Sequence, residues 1–245
     1  MKILHIEGGN NLYGGALQVF YLLRDLSKKN TKNVLICSAN SDLLTKSKPF
    51  ATIYGLKMNS DLDIFLLFKI IKIIKLEKPD IVHLHSRRIA EFLGGISSKF
   101  CNIPCVLSRR VDNKEKKFLI WTKYLLYKKI ITISEGIKNV LIEQGLEEQK
   151  IICIRSAVEI DLYSKPMDKK KFRNNLKLDS NVFLIGMIAQ FIKRKGHIQL
   201  VYAVKKLIPE FNNIHVLLYG QGPLLNKIKI LVGQLNMLDN FHFMG

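Results

Sequence analysis

Long apolar runs are missing from this sequence of 245 residues, which has no stretch of roughly 18 or more apolar residues. A bilayer-crossing helix needs about 20, so none is predicted. The first residues, MKILHIEGG, lead directly into a predicted strand. They lack the apolar stretch and the small-residue cleavage site of a signal peptide. We therefore expect a cytoplasmic protein.

Cysteines are few, and none of them form a C-x-x-C pair. The four are Cys37, Cys101, Cys105 and Cys153. Three of them lie in or beside apolar runs, where a free thiol packs as a small hydrophobic group. We expect buried or incidental thiols, with neither a disulfide framework nor a cysteine metal site.

Acidic residues are scarce: 20 Asp and Glu stand against 39 Lys and Arg, for a net charge of +19. Such a charge favours anionic partners, which are nucleic acid, phosphates or anionic lipid. A genome-wide bias towards Lys, Ile and Asn would produce the same composition, and both interpretations stay open. The cations form neither a recognition helix nor an aromatic-rich sheet, so nucleic acid is not expected as a partner.

Short apolar runs alternate with longer segments of helical periodicity, which predicts an α/β fold with doubly wound parallel sheets. The predicted strands are 2–7, 33–38, 80–85, 104–108, 129–134, 150–155, 182–190, 215–220 and 240–245. Helical spacing is present near 16–26, 62–76, 135–144, 196–208 and 222–235. In 62–76 the predicted helical stripe includes Leu62, Phe65, Leu66, Lys69, Ile70 and Ile73.

The pattern breaks at 161–181, which carries a proline, a charge cluster and one short helix. We predict an N-terminal Rossmann-like domain over 1–160, a linker with an entry helix over 161–181, and a partial second Rossmann-like unit over 182–245. The last predicted strand ends at Gly245 with no covering helix after it. A doubly wound domain normally continues further, so we expect a C-terminally truncated chain.

Glycines and cations follow several predicted strands, where the carboxyl ends of a parallel sheet bind ligands. Gly14 and Gly15 precede the first helix, although neither a G-x-G-x-x-G nor a P-loop pattern is present. A plain tight turn explains the pair equally well. In the second unit, Lys193-Arg194-Lys195 predicts a diphosphate clamp or, alternatively, a solvated loop. Gly220 and Gly222 allow close backbone approach, as an ordinary turn also would.

His83 and His85 lie two apart on one predicted strand and therefore point the same way. No third ligand at suitable spacing is evident, so no metal is predicted. His85, nearer the carboxyl end, is the better placed to face a ligand. Arg109 and Arg110 add two positive charges at the end of the next strand.

Six stretches in order carry a resemblance: Gly14-Gly15-Ala16, PDIVHLHS at 79–86, 133–145, 154–163, 186–207 and 219–245. In this order they resemble the retaining glycosyltransferases of family 4, which have the GT-B fold of two Rossmann-like domains. The resemblance implies a transferase that binds a nucleotide-sugar as co-substrate, with no cofactor and no metal. It implies sugar transfer with retention to a glycan or lipid-linked acceptor, in the synthesis of cell-envelope polysaccharide or lipopolysaccharide.

The resemblance also assigns residues. Donor-binding residues would be Gly14, Gly15, Gln190, Arg194, Lys195, Gly220 and Gly222. Gln190 stands where the family often has an arginine, for which Arg194 or Lys193 would compensate. Acceptor-binding residues would be His85, Arg109 and Arg110, with His85 also the catalytic candidate. A pair of family glutamates lies beyond Gly245, so an inactive remnant that binds acceptor or membrane is the alternative function.

Segment 113–130, NKEKKFLIWTKYLLYKKI, combines six lysines with Phe118, Trp121, Tyr124 and Tyr127. Aromatic rings beside lysines suit the headgroup region of an anionic bilayer. This predicts peripheral attachment at the inner face of the cell membrane. The alternative is an amphipathic helix whose aromatic face packs on the sheet, and burial of the aromatics decides between them.

Overall fold

The computed structural model describes residues 1–58, 63–85, 88–211 and 213–245, and for 88–90, 117–119 and 121 the backbone only. The chain divides into two compact units, 1–159 and 160–245. We call these unit 1 and unit 2. No helix within the described ranges is long and apolar enough to cross a membrane.

Unit 1 is built on a seven-stranded sheet whose paired strands all run parallel. The strands are β1 Lys2–Glu7, β2 Lys32–Ser38, β3 Thr52–Leu56, β4 Ile81–His85, β5 Cys105–Arg109, β6 Lys129–Thr132 and β7 Ile151–Cys153. Their order across the sheet is β3-β2-β1-β4-β5-β6-β7. The order reverses direction between β1 and β4, which is where a doubly wound sheet opens a crevice at its carboxyl edge.

Helices cover both faces of this sheet. They are α1 Gly14–Ser27, α2 Asp42–Ser47, α3 Ile64–Glu77, α4 Arg88–Phe100, α5 Lys117–Tyr124 and α6 Glu135–Glu143. Buried residues of α1 and α2 pack with Leu35 and Cys37 on one face. Buried residues of α3 and α4 pack with Leu4 and Leu84 on the other face. The predicted parallel α/β architecture is confirmed.

The edge strand β3 was absent from the sequence prediction. Its burial is only partial, and Gly55 interrupts the β-branched and aromatic run of Thr52, Ile53 and Tyr54. An edge strand has one unpaired side and little need for a continuous apolar sequence, so its signal is weak. Helix α2 is also short and begins at a Ser41 cap, whose Oγ accepts the Leu44 N–H at 3.3 Å.

Helix α3 shows where the predicted apolar stripe was wrong. Leu66, Ile70 and Ile73 are buried as expected, and Ile74 joins them. Phe65, however, is exposed. The helix is apolar around most of its circumference, so spacing alone did not separate its core face from its outer face. Leu62, the first residue assigned to that stripe, lies outside the described residues.

Unit 2 has a three-stranded parallel sheet in the order β10-β9-β8. Its strands are β8 Phe183–Ile188, β9 Ile214–Tyr219 and β10 Phe241–Phe243, and its helices are α7 Ile160–Tyr163, α8 Lys169–Asn175, α9 His197–Leu207 and α10 Leu225–Gln234. Val201, Val204 and Ile228 pack against Val216 and Leu218 in its core. The predicted linker, 161–181, contains most of α7 and all of α8.

Two of the four aromatics predicted to meet a membrane belong to the core instead. Tyr124 and Tyr127 are buried with their rings edge to face, 5.9 Å apart. Lys123 is nearly buried and pairs with Glu91 at 2.6 Å. Tyrosines in the core and a lysine in an ion pair favour the sheet-packing interpretation of this segment. The side chains of Phe118 and Trp121 lie outside the description.

The two faces of α3 give a direct test of its packing. Replacing the fully buried Ile70 by Ala should lower the free energy of unfolding by about 2–5 kcal/mol, because a cavity remains in the core. Ile64→Ala, at an exposed position of the same helix, should change it by less than about 0.5 kcal/mol. Urea unfolding measures both. Equal losses would contradict the assigned orientation of the helix.

Candidate functional site

A cleft of about 260 Å³ opens at the carboxyl edge of the unit 1 sheet. It lies between one side of α1 and the ends of β4, β5 and β6. Its lining residues are Gln18, Tyr21, Leu22, Asp25, His83, His85, Ser108, Arg110, Ile131, Ile133, Ile154, Arg155, Ser156 and Ala157. The walls combine apolar surface with imidazole, hydroxyl and guanidinium groups, as ligand sites commonly do.

Side-chain contacts hold the segment after β7 against α1. The Gln18 amide donates to the Ala157 carbonyl at 2.7 Å, and the Ala157 N–H donates back to Gln18 Oε1 at 2.8 Å. Nearly two turns further along α1, Arg24 pairs with Glu159 at 2.9 Å. These contacts fix one rim of the cleft although its two sides lie far apart in sequence.

Three histidines converge on the sheet face beneath α1. His5 of β1 is in register with His83 of β4, and His85 is one alternate position further on. His5 Nδ1 lies 3.0 Å from His85 Nε2, and His83 Nε2 lies 2.8 Å from Ser108 Oγ. Sequence analysis favoured His85 as the ligand-facing residue. His85 lines the cleft but is fully buried, whereas His83 is partly exposed.

Burial controls the charge of these imidazoles. It lowers the pKa of His5 to about 4. It also holds the pKa values of His83 and His85 well below the usual range, with help from neighbouring imidazolium charge and from Arg110. All three rings are therefore neutral near pH 7. They act there as hydrogen-bonding groups rather than as cations.

One nitrogen from each of these rings lies within 4.8 Å of the others, a grouping able to hold a metal ion. The sequence analysis did not find this third histidine. The positive charge of Arg110 acts on His83 and His85, and a cation near these rings disfavours the binding of a second cation. The arrangement fits a hydrogen-bonded array better.

The side chain of Arg110, the residue after β5, lies beside the N-terminus of α1. A Cβ added to Gly15 would contact the Arg110 side chain at 3.5 Å, so these two predicted site residues are neighbours. Burial lowers the pKa of the Arg110 guanidinium, partly opposed by the charge of Glu7. Its buried Nε has no hydrogen-bond partner among the described residues.

The α1 N-terminus adds further donors beside this guanidinium. Tyr13, the N-cap residue, gives no side-chain cap. The first N–H groups of a helix have no partner within it. An uncapped helix N-terminus next to an unsatisfied guanidinium is chemically suited to an anion.

Arg109 has a different role from its neighbour. It is buried, and its guanidinium donates to Glu115, to the Val111 carbonyl and to the Asn113 carbonyl at 2.7, 3.0 and 2.8 Å. Successive residues of a strand point to opposite faces, which sends Arg109 away from the cleft that Arg110 lines. Each guanidinium nitrogen of Arg109 therefore donates a hydrogen bond within the loop after β5, and the acceptor contact predicted at this residue stays a prediction.

Glu7 is a second site residue that sequence reasoning missed. It ends β1 directly across from His85, is buried, and accepts the Gly9 N–H at 2.9 Å. Its carboxylate helps to hold the loop ahead of α1 and partly offsets the charge of Arg110. Glu7 could have been found from the strand order, because a sheet of this order pairs β1 with β4 and so places Glu7 beside His85.

In unit 2 the predicted donor residues meet at the carboxyl edge of the smaller sheet. The loop after β8 bonds the loop after β9: the Phe191 N–H donates to the Gln221 carbonyl at 3.0 Å, and the Leu224 N–H to the Phe191 carbonyl at 3.0 Å. Gly222 has φ +154°, and an added Cβ would lie 2.7 Å from the Phe191 carbonyl oxygen. Glycine is thus required there by the local backbone, whatever ligand binds.

The basic turn lies in front of α9. Lys193, Arg194 and Lys195 form one turn of 3₁₀ helix and are all exposed, and Gly196 is then the N-cap residue of α9. The turn thus presents three cations beside a helix N-terminus. Sequence reasoning missed His197, whose buried ring stacks on Phe191 with centroids 4.2 Å apart.

Comparison with known families decides the identity. The sequence model described as Glycosyltransferase Family 4 matches residues 13–162, more than half of the chain. The chain belongs to glycosyltransferase family 4. A second model, described as Glycosyl transferases group 1, matches residues 168–245 of this family 4 member. Each model falls almost wholly on one of the two units.

Curated relatives agree with this family. An uncharacterized glycosyltransferase of Methanocaldococcus jannaschii is 27% identical over 208 residues, covering 73% of this chain and 48% of the relative. The UDP-Gal:alpha-D-GlcNAc-diphosphoundecaprenol alpha-1,3-galactosyltransferase of Escherichia coli is 25% identical over 184 residues, covering 68% of this chain and 47% of the relative. The family 4 chain thus spans about half the length of these two relatives.

The fold is shared with a solved structure, that of Anabaena HepE in complex with UDP. It matches with a TM-score of 0.82 at 18% identity, covering 100% of this chain and 69% of that one. The predicted GT-B-like fold of this family 4 member is confirmed.

The buried histidines predict how unit 1 responds to acid. Unfolded His5 takes up a proton near pH 6.5, but in the folded chain it does so only near pH 4. The unfolded state therefore binds more protons between these values, and the free energy of unfolding falls as the pH drops through this window. For His5 the full loss is about 3 kcal/mol, and His83 and His85 act in the same direction.

Urea unfolding above pH 6.5 and at points between pH 6.5 and 4, followed by Trp121 fluorescence, measures this effect. His5→Gln should flatten the pH dependence even if it lowers stability overall. An unchanged slope in this variant would contradict the assignment.

Proposed function

We propose that this chain takes part in transferring a sugar from a nucleotide-sugar to a glycan or lipid-linked acceptor, with retention of configuration. The observation that carries the proposal is the pair of family matches, one on each unit, combined with anion-binding chemistry at both sheet edges. Unit 2 would bind the donor and unit 1 the acceptor. The pathway would be the synthesis of cell-envelope polysaccharide or lipopolysaccharide at the inner face of the membrane.

The donor assignment rests on the basic turn of unit 2. Lys195 stands at the end of this turn, immediately before Gly196 and the N-terminus of α9. A diphosphate placed there would meet ammonium and guanidinium groups together with free backbone N–H groups. The solved Anabaena structure contains UDP, which makes UDP the first nucleotide to try.

Lys195→Ala should weaken the binding of UDP by about 1.5–3 kcal/mol, because a charge-assisted hydrogen bond to phosphate is lost. Isothermal titration calorimetry measures the affinity. Lys206→Ala, at an exposed position of α9, removes the same charge and serves as the control. Equal affinities in both variants, or no binding of any nucleoside diphosphate by the unaltered chain, would contradict the donor assignment.

The acceptor assignment rests on the cleft of unit 1. Arg110 supplies positive potential, while Ile131, Ile133 and Ile154 supply an apolar wall. A diphosphate attached to a prenyl chain complements both features, because the diphosphate is negatively charged and the prenyl chain is apolar. The Escherichia coli relative is named for such an acceptor.

Arg110→Gln should weaken the binding of a water-soluble short-chain prenyl diphosphate by roughly ten-fold or more, since a partly buried guanidinium is removed. Lys114→Gln, at an exposed site of the same unit, should leave that affinity unchanged. Calorimetry measures both variants. Arg110→Gln binding as tightly as the unaltered chain would rule out the cleft as the anion site.

The proposed chemistry is electrostatic. Cations and helix N–H groups stabilise the departing diphosphate, and no metal is required. The neutral imidazoles of His83 and His85 would orient acceptor hydroxyl groups. Transfer of labelled hexose from a UDP-hexose to a prenyl-diphosphate-linked sugar, with the anomeric configuration kept, tests the reaction. Intact binding of both substrates without transfer would instead support the inactive alternative.

A further inference from the structure

The outer face of α3 exposes large apolar side chains. Phe65 is 76% exposed, Phe68 62% and Leu76 69%. These side chains take no part in the core, because the opposite face of the helix carries the buried Ile70 and Ile74. A single exposed apolar residue needs no explanation, but a row of them on one helix face indicates an interaction surface.

Three lysines are interleaved with this row. Lys69, Lys72 and Lys75 are all exposed. At 100° per residue, the three lysines and the three apolar residues occupy an arc of roughly 120°. Aromatic, aliphatic and ammonium groups therefore share one face of a helix that is about 21 Å long.

The same surface continues onto the neighbouring helix α4. Phe100 is 66% exposed, and its ring lies 5.5 Å from the Lys75 ammonium. Lys99, beside it, is also exposed. We call this surface the α3–α4 patch, with members Phe65, Phe68, Lys69, Lys72, Lys75, Leu76, Lys99 and Phe100.

We propose that the α3–α4 patch docks on an anionic lipid bilayer. Lysines near an anionic membrane meet lipid phosphate, while the rings and the leucine enter the boundary between headgroups and acyl chains. The charge of the patch complements that surface and also matches the chain's overall charge of +19. This inference does not depend on the proposed transferase reaction.

Charge argues against a second copy of the chain as the occupant. In a symmetric dimer the same patch would face itself, so its four lysines would approach four more. Like charges at such a contact oppose association. An anionic surface satisfies the lysines and the apolar groups together.

The position of α3 relates the patch to the cleft. A helix that follows a parallel strand starts at the carboxyl edge of the sheet, so Phe65 and Phe68 lie towards the edge where the cleft opens. Because α3 packs on the face of the sheet opposite to α1, the patch and the cleft lie on opposite sides of the sheet. This location differs from segment 113–130, whose Tyr124 and Tyr127 are in the core.

Co-sedimentation of the full chain with vesicles tests the proposal. We expect binding to mixed phosphatidylglycerol–phosphatidylcholine vesicles and much weaker binding to pure phosphatidylcholine. Each lysine near the anionic surface contributes a factor of roughly five in affinity. Salt near 1 M, where the Debye length is about 3 Å, should remove most of the lysine contribution to vesicle binding.

Two variants separate the contributions of the patch. Phe65→Ser/Phe68→Ser should weaken vesicle binding at least roughly ten-fold, because apolar area no longer leaves water. Lys69→Gln/Lys72→Gln/Lys75→Gln should weaken it by roughly 100-fold. The matched control is Lys169→Gln/Lys170→Gln/Lys171→Gln in α8, which removes the same charge from exposed positions of unit 2. Circular dichroism confirms that each variant is folded.

Three outcomes would overturn the proposal. The α8 control could lose as much binding as the α3 lysine variant, which would make net charge the cause. The double Phe variant could bind as tightly as the unaltered chain. Light scattering could show a dimer that the Phe substitutions convert to a monomer while vesicle binding stays unchanged, which would make the patch a self-association surface.

Discussion

The parallel pairing of β1 with β4 is the contact on which the site in unit 1 depends. It aligns His5 with His83 and Glu7 with His85, and it lies where the strand order changes direction. The helices that follow β1 and β4 pack on opposite faces of the sheet, so among the described residues the space beyond this pair stays open. The cleft exists because of that divergence. A slip of one residue in the register would turn the histidines to the other face.

The same pairing places polar groups in a region of low dielectric. Three imidazoles lose their charge there, whereas the guanidinium of Arg110 keeps its charge with an unsatisfied Nε. A partly buried cation whose charge is only partly offset by Glu7 is costly to the folded state, and an anionic ligand would relieve that cost. Arg109, one residue earlier, shows the contrast: each of its three guanidinium nitrogens donates a hydrogen bond to the loop after β5. Strand alternation thus commits Arg109 to the loop after β5 and leaves Arg110 at the cleft.

Much of this fold could be predicted from the sequence, because strands that are buried on both faces consist of nearly continuous apolar runs. Nine of the ten described strands were found in this way, and β3 was missed because an edge strand lacks that signal. The site was harder to predict, since its residues meet only through strand order. His5 and Glu7 lie on β1, and nothing in their local sequence marks them as neighbours of β4. Topology supplies that information, and periodicity does not.

Helix α3 illustrates a limit of a different kind. Its sequence, IFLLFKIIKIIKLE, places apolar residues on nearly every side, so a hydrophobic pattern cannot say which of them the sheet will cover. The lysines give the answer, because an ammonium group is rarely buried without a partner, and Lys69, Lys72 and Lys75 therefore mark the outer face. Phe65, Phe68 and Leu76 fall among them and stay exposed. A helix that needed only to cover the sheet would carry polar residues at these positions. Helix α3 thus has one apolar face buried in the core and a second face where apolar residues alternate with lysines. This combination fits a helix that packs on the protein core on one side and on an anionic membrane on the other.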